Sequence, residues 1–161
     1  MTFRPLAPSD AALLREATFG NVNWTGEARV SRAAFEASPE LLRYAAFDPT
    51  RGDFGFVAEG DVGVVWVLFL DERAPGYGFV EDGVPELGIH VERAHRSRGL
   101  GAALLHRVIE EGRRRGLERL SLSVEADNPA VRLYRKAGFA PFDTTRGIHV
   151  LSLAPDGVGK V

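Results

Sequence analysis

The chain contains no cysteine. That excludes a disulfide framework, cysteine-ligated zinc, a thiol nucleophile and a dithiol redox pair together, and it agrees with a reducing, cytoplasmic setting. Neither sign of charge dominates: 20 Lys and Arg face 22 Asp and Glu, for a formal net charge of −2. Without a basic excess there is no general electrostatic case for nucleic acid or an anionic membrane, and neither is expected as a partner. The one local basic run, Arg113-Arg114-Arg115, follows Glu110 and Glu111 and reads as a solvated helix end. Long apolar runs are also missing. The longest, residues 62–70, is about nine residues and contains Gly63, whereas a membrane helix needs ~20. Met1 to Pro8 lacks the apolar core of a signal peptide. No two of the 4 histidines have the usual zinc-ligand spacing, so no metal is expected.

What is present is ordinary for a globular protein: 161 residues, 45% apolar and 26% charged. That length fits one domain over residues 1–161, with a tail from Ala154 expected to fray. Glycine is in excess, 18 of 161 residues or about 11%, against ~7% in average usage. Its placement is informative.

Ser9 and Asp10 supply N-cap oxygens for a helix over 11–17. Residues 21–26 read as a loop, and 31–35 and 39–44 as helical stretches interrupted near Pro39. A turn cluster at 48–53 precedes strands over 54–59 and 62–70, joined at Gly60-Asp61. Residues 71–85 are rich in Gly, Pro and acids and read as a loop. A strand over 86–91 leads to an amphipathic helix over 101–115 that stops at Gly116. A strand over 120–124 follows. Asp127-Asn128-Pro129 then caps a helix over 130–136 that stops at Gly138, before a final strand pair at 139–142 and 148–153. This order predicts an α/β fold: a mixed, mostly antiparallel central sheet flanked by helices.

One glycine cluster stands apart from turn punctuation. Arg96-Ser97-Arg98-Gly99-Leu100-Gly101-Ala102 lies between a strand and the long helix. Helix-start N–H groups lack intrahelical partners there, glycine admits a close ligand, and the helix dipole and two guanidinium groups favour a phosphate dianion. A Walker A loop needs Gly-Lys-Ser/Thr, which is absent. A dinucleotide G-x-G-x-x-G needs glycine where Leu104 stands. The competing reading is a plain glycine turn into a surface helix.

Arg96-x-x-Gly99-x-Gly101 after a strand, followed by Asn128-Pro129-Ala130-Val131-Arg132-Leu133-Tyr134 and Gly138-Phe139, resembles the GNAT N-acetyltransferase superfamily. The resemblance runs over roughly residues 3–153, and the ordered pair of motifs about 30 residues apart makes it specific. It implies a GNAT-like acyl-CoA N-acyltransferase fold and acetyl-CoA (coenzyme A) as cosubstrate, with transfer of an acetyl group to a primary amine of a small molecule or peptide. The cofactor would be held by Arg96, Ser97, Arg98, Gly99, Leu100, Gly101 and Ala102, by the backbone around Val91, whose N–H would serve the oxyanion, and by Asn128. Family members commonly carry Asn seven residues before the Tyr, which here is Asp127; Asn128 is six before, so the role falls to one of the two.

The same resemblance implies Tyr134 as general acid toward the leaving thiolate, and makes Glu86 a candidate base, although a strand-end Glu is ordinarily solvated. Without cysteine, direct attack in a ternary complex is expected rather than a cysteinyl acyl-enzyme. The alternatives are a non-catalytic acyl-CoA-binding or sensing module, and a peptide-binding domain without CoA. Tyr134 is otherwise a half-buried aromatic anchor; His90 reads as a structural histidine, His95 as a loop side chain, His106 as surface, and His149 as a candidate groove residue. Trp24 is either a core aromatic or a wall of the acceptor pocket. That pocket is expected from loops 19–26, 71–85 and 143–147, where Asp71, Glu72, Glu81 and Asp82 are candidates to attract a cationic amine. A homodimer is the base-rate expectation for assembly.

Overall fold

The computed structural model describes residues 1–153; the tail expected to fray lies outside the described residues. The strands are β1 (Phe3–Pro5), β2 (Phe54–Ala58), β3 (Gly63–Leu68), β4 (Glu86–Val91), β5 (Arg119–Ser123), β6 (Ala140–Asp143) and β7 (Ile148–Ser152). The helices are α1 (Ala11–Val22), α2 (Arg32–Glu36), α3 (Pro39–Leu42), α4 (Leu100–Arg114) and α5 (Ala130–Ala137). All seven strands form one sheet in the order β1-β2-β3-β4-β5-β7-β6. Every pairing is antiparallel except β4 with β5. Among the described residues no helix is long and apolar enough to cross a membrane.

Period-two alternation divides the strands between two cores. On one face Val65, Val67, Leu87 and Ile89 pack with Leu104, Leu105 and Val108 of α4 and with Leu120 and Leu122. On the other, Val64, Trp66 and Leu68 pack with Leu14 and Ala17 of α1. Glu86, Gly88 and His90 therefore share the α1 face. The indole of Trp66 occupies the space a Gly88 side chain would need, 2.9 Å from the position of a Cβ.

Two elements depart from the sequence reading. Strand β1 carries no sequence signal: three residues ending in proline are too short for a period-two pattern, and an edge position tolerates Pro5. Helix α1 runs on to Val22, through a segment read as a loop from Asn21. Gly20 and Asn21 are poor helix formers, but tertiary contacts hold the last turn. The Gly20 backbone lies against the His90 ring, and the Asn21 side chain is bonded to β4. The arginine run is exposed, as a solvated helix end should be, and two of its members also make pairs. Arg114 and Arg115 turn back onto Glu111, which is 6% exposed, and hold its carboxyl down at about 2.

Leu104 is fully buried between α4 and the sheet. Leu104→Ala should cost roughly 2–5 kcal/mol through lost burial and the cavity left behind. Urea denaturation should show this as a lower midpoint at unchanged slope.

Candidate active site

Strands β4 and β5 register at a single pair, Glu86 with Ser121, and then part. Beyond that point β5 no longer supplies hydrogen bonds to β4. The Ile89 carbonyl accepts from Asn21 Nδ2 at 3.0 Å, and the Val91 carbonyl accepts from Arg96 Nε at 2.9 Å. Buried backbone groups need partners, and two side chains provide them where a strand would. Residues 88 and 90 face β3, since Glu92 N–H continues that ladder by donating to Val62 O at 2.9 Å. Alternation then directs the Val91 N–H into the gap. The resulting cleft measures ≈ 1380 Å³. This exceeds the ~300–1,000 Å³ of ordinary small-molecule pockets and leaves room for two substrates.

At one end of the cleft is the glycine-rich turn. Ser97 has φ +63° and Gly99 φ +80°, two left-handed residues that lead the chain into α4. Nothing stands within 4 Å of a Cβ built on Gly99, so glycine is favoured there by φ and not by crowding. The first helical bond runs from Ala103 N–H to Gly99 O at 3.0 Å. The N–H groups of Leu100, Gly101 and Ala102 are thus left without intrahelical acceptors, at the positive end of a fifteen-residue helix. Arg96, Ser97 and Gly101 line the cleft, whereas Arg98, Gly99, Leu100 and Ala102 are not among its lining residues. The described residues thus offer a phosphate-type cradle made of backbone amides beside one guanidinium.

Tyr134, on α5, also lines the cleft. Its ring meets Phe139 edge-on at 6.0 Å, and burial alone pushes the phenol above its ordinary value. It is therefore neutral at pH 7 and able to donate a proton. Asn128 lines the cleft and caps α5, its Oδ1 accepting from Ala130 N–H at 3.0 Å. Asp127 is exposed and is not among the lining residues.

Glu86 departs from the expectation of a solvated strand end: it is 5% exposed at the base of the cleft. Burial is the main cause that pushes its carboxyl up to about 7, with the Tyr44 hydroxyl, the nearby Gly78 amide and the charges of Arg146 and Arg43 offsetting part of that rise. Tyr44 donates to Glu86 Oε2 and accepts from Tyr77 N–H at 2.7 Å. Its backbone is pinned in turn, because Trp66 Nε1 donates to Tyr44 O at 2.9 Å. Gly76 and Gly78 pass so close that a Cβ on Gly76 would stand 2.2 Å from Glu86 Oε1, and one on Gly78 2.9 Å from the Leu122 backbone. Gly76, within the segment read as a loop, is thus a close-approach glycine. Glu86 Oε1 and Ser121 Oγ are buried without a hydrogen-bond partner, which leaves an oxygen lone pair free for a proton. Tyr44 carried no sequence signal; it lies in a stretch readable only as helix.

The opposite wall spans long sequence separations. Trp24 Nε1 and both arms of Arg29 donate to the Glu125 carboxylate. Trp24 is thereby a wall of the cleft and not a core aromatic. His90 is half-buried, bonded through Nδ1 to Asn21 Oδ1 at 3.0 Å, and lowered to about 4 chiefly by burial, in keeping with a structural histidine. His106 is exposed beside Glu110. His95 and His149 both line the cleft. The loop acids do not: Glu81 pairs with Arg119, Asp82 accepts from Glu72 N–H, and Asp71 accepts from Arg73 N–H, so none of the four faces the cleft. Among the described residues no three His, Asp or Glu converge as a metal-binding set.

Because Glu86 holds its proton more tightly when folded, the native state binds more protons than the unfolded chain between the ordinary 4.5 and about 7. Stability should fall as pH rises through that window. Thermal melts from about pH 5 to about pH 8 should show this loss in the natural chain. The same series on Glu86→Gln should lack that component.

The family model for the GNAT acetyltransferase family matches residues 22–139. A mycothiol acetyltransferase of Clavibacter michiganensis subsp. michiganensis is 45% identical over 116 residues, covering 66% of this chain and 36% of that protein. An L-methionine sulfoximine/L-methionine sulfone acetyltransferase of Salmonella typhimurium is 40% identical over 55 residues, 34% of this chain and 32% of that one. The matched segments span about a third of the length of these curated relatives. Among solved structures, yncA of Salmonella typhimurium with its cofactor acetyl-CoA superposes with a TM-score of 0.63 at 24% identity, covering 98% of both chains. The paia N-acetyltransferase of Thermoplasma acidophilum in complex with coenzyme A gives 0.64 at 19% identity, covering 94% of this chain and 99% of that one. With a parted β4–β5 pair, a glycine-rich turn into α4 and a family match over most of its length, the chain belongs to the GNAT acetyltransferase family.

Proposed function

We propose that the chain transfers an acetyl group from acetyl-CoA to a primary amine of a small molecule or peptide, by direct attack within a ternary complex. The observation that carries this reading is the cleft itself. One opening in the sheet joins an anion-binding turn, a neutral phenol and a carboxyl poised near pH 7. The acetyl-CoA relatives described above support the cosubstrate, and the curated relatives support acetyl transfer.

Acetyl-CoA supplies the activated thioester; the chain's residues do the rest. The free N–H groups of Leu100, Gly101 and Ala102, with Arg96, bind the pyrophosphate. Val91 N–H faces the thioester carbonyl and stabilises the oxyanion that forms on attack. Glu86 accepts the proton that the amine loses as its nitrogen bonds to the carbonyl carbon. Tyr134 protonates the sulfur as the carbon–sulfur bond breaks. The phenol is neutral at pH 7 and so holds a proton to give to the departing thiolate, whose acid has pKa ~8.5. Asn128, on the cleft wall at the start of α5, is the better placed of the two candidates for the family asparagine.

Incubation with acetyl-CoA and a panel of amines, with free thiol measured, tests the proposal. The natural chain should release CoA in an amine-dependent manner. Its rate should rise with pH through about 7 as Glu86 loses its proton. Glu86→Gln should abolish that limb, and Tyr134→Phe should slow turnover by roughly 10²-fold or more. A thermal shift with CoA but no turnover on any amine would favour the binding-module reading instead.

A further inference from the structure

Six charged residues line the cleft: Arg29, Glu86, Arg96, Glu125, Arg135 and Arg146. Arg29 and Glu125 neutralise each other in a two-armed pair at 2.6 and 2.8 Å. Arg96 belongs to the anion-binding turn, and Arg135 stands on α5 beside Tyr134. Glu86 is held near neutrality and already engaged by Tyr44. None of Arg96, Arg135 and Arg146 makes a salt bridge among the described residues, and of the three only Arg146 is among the charges that act on Glu86.

Arg146 is held in place through its backbone. Asp143 Oδ1 accepts from the N–H groups of Thr145 at 3.1 Å and Arg146 at 3.3 Å, and Val124 N–H donates to Gly147 O at 2.9 Å. Gly147 has φ +67°, and a Cβ there would stand 2.4 Å from Val124 O, so the turn is locked against the end of β5. Arg146 is also close enough to Glu86 for its charge to act on that carboxyl. The acceptor end of the cleft therefore presents an exposed guanidinium with no salt bridge, carried on a held turn beside the group proposed to receive the amine's proton, with the Asp143 carboxylate also in reach of its charge. That guanidinium gives a simple cationic amine no attraction. A molecule that carries an anion close to its amine would be attracted, and the planar guanidinium fork matches a carboxylate.

We infer that Arg146 binds the carboxylate of the acceptor, and that the acceptor is therefore a free amino acid whose amine lies toward Glu86 while its carboxylate pairs with Arg146. This rests on the acyl-transfer reading above and narrows its substrate class.

The test compares L-amino acids with their carboxamides as acceptors, in the natural chain and in Arg146→Gln, with free CoA as readout. Calorimetric binding of the N-acetyl amino acids and their amides, in the presence of CoA, provides a second readout. The acids should exceed their amides roughly ten- to a hundred-fold in kcat/KM, and Arg146→Gln should erase that preference while CoA binding persists. Amides used as well as acids, or a preference unchanged in Arg146→Gln, would overturn the inference and leave acyl transfer standing. If nothing turned over, carboxylate-dependent binding lost in Arg146→Gln would still support the carboxylate site while refuting acyl transfer. Absence of both turnover and carboxylate-dependent binding would overturn the inference.

Discussion

The separation of β4 from β5 after a single registered pair is the constraint on which the rest of the structure depends. A parallel pair that stayed closed would bury both strands and leave no cleft. Opening it exposes carbonyls that need donors, and the chain recruits Asn21 from α1 and Arg96 from the turn before α4. Each donor also shapes the site. Asn21 ties the end of α1 and the His90 ring to the cleft, while Arg96 brings the glycine-rich turn alongside β4. Local departures from propensity, such as the glycine and asparagine in the last turn of α1, are thus explained by a tertiary demand.

Glu86 sits where the strands part, and its environment is built around it. The Gly76–Gly78 segment passes within reach of its carboxyl, and Tyr77 stacks on Tyr44 with ring centroids 6.2 Å apart. Tyr44 donates to the carboxyl, and Trp66 in turn holds the Tyr44 backbone. A buried carboxyl with one unpartnered oxygen is costly to ionise. That cost raises its affinity for a proton into the range useful for a base at neutral pH.

The architecture was largely legible because its signals are local. The strand read over 86–91 matches the bounds of β4, and the amphipathic 101–115 pattern lies within one residue of α4. The class, a mixed and mostly antiparallel sheet flanked by helices, followed from element order, and the two ordered motifs identified the family. What stayed hidden was non-local. The burial of Glu86 depends on Gly76, Gly78 and Tyr44, up to 42 positions away. The Trp24–Glu125 contact spans 101 positions. The four loop acids offered as candidates to attract an amine lie outside the cleft lining, because composition does not tell which way a loop turns its acids. No pattern in a single sequence reports such partners.

The central claim is that acetyl-CoA enters between the parted strands with its pyrophosphate on the start of α4. Titrating the isotopically labelled chain with CoA while following backbone amide resonances tests this most directly. The account predicts that the amides of Leu100, Gly101 and Ala102, together with Val91 on β4, shift in a saturable manner. Saturable shifts elsewhere with these four unmoved would contradict it.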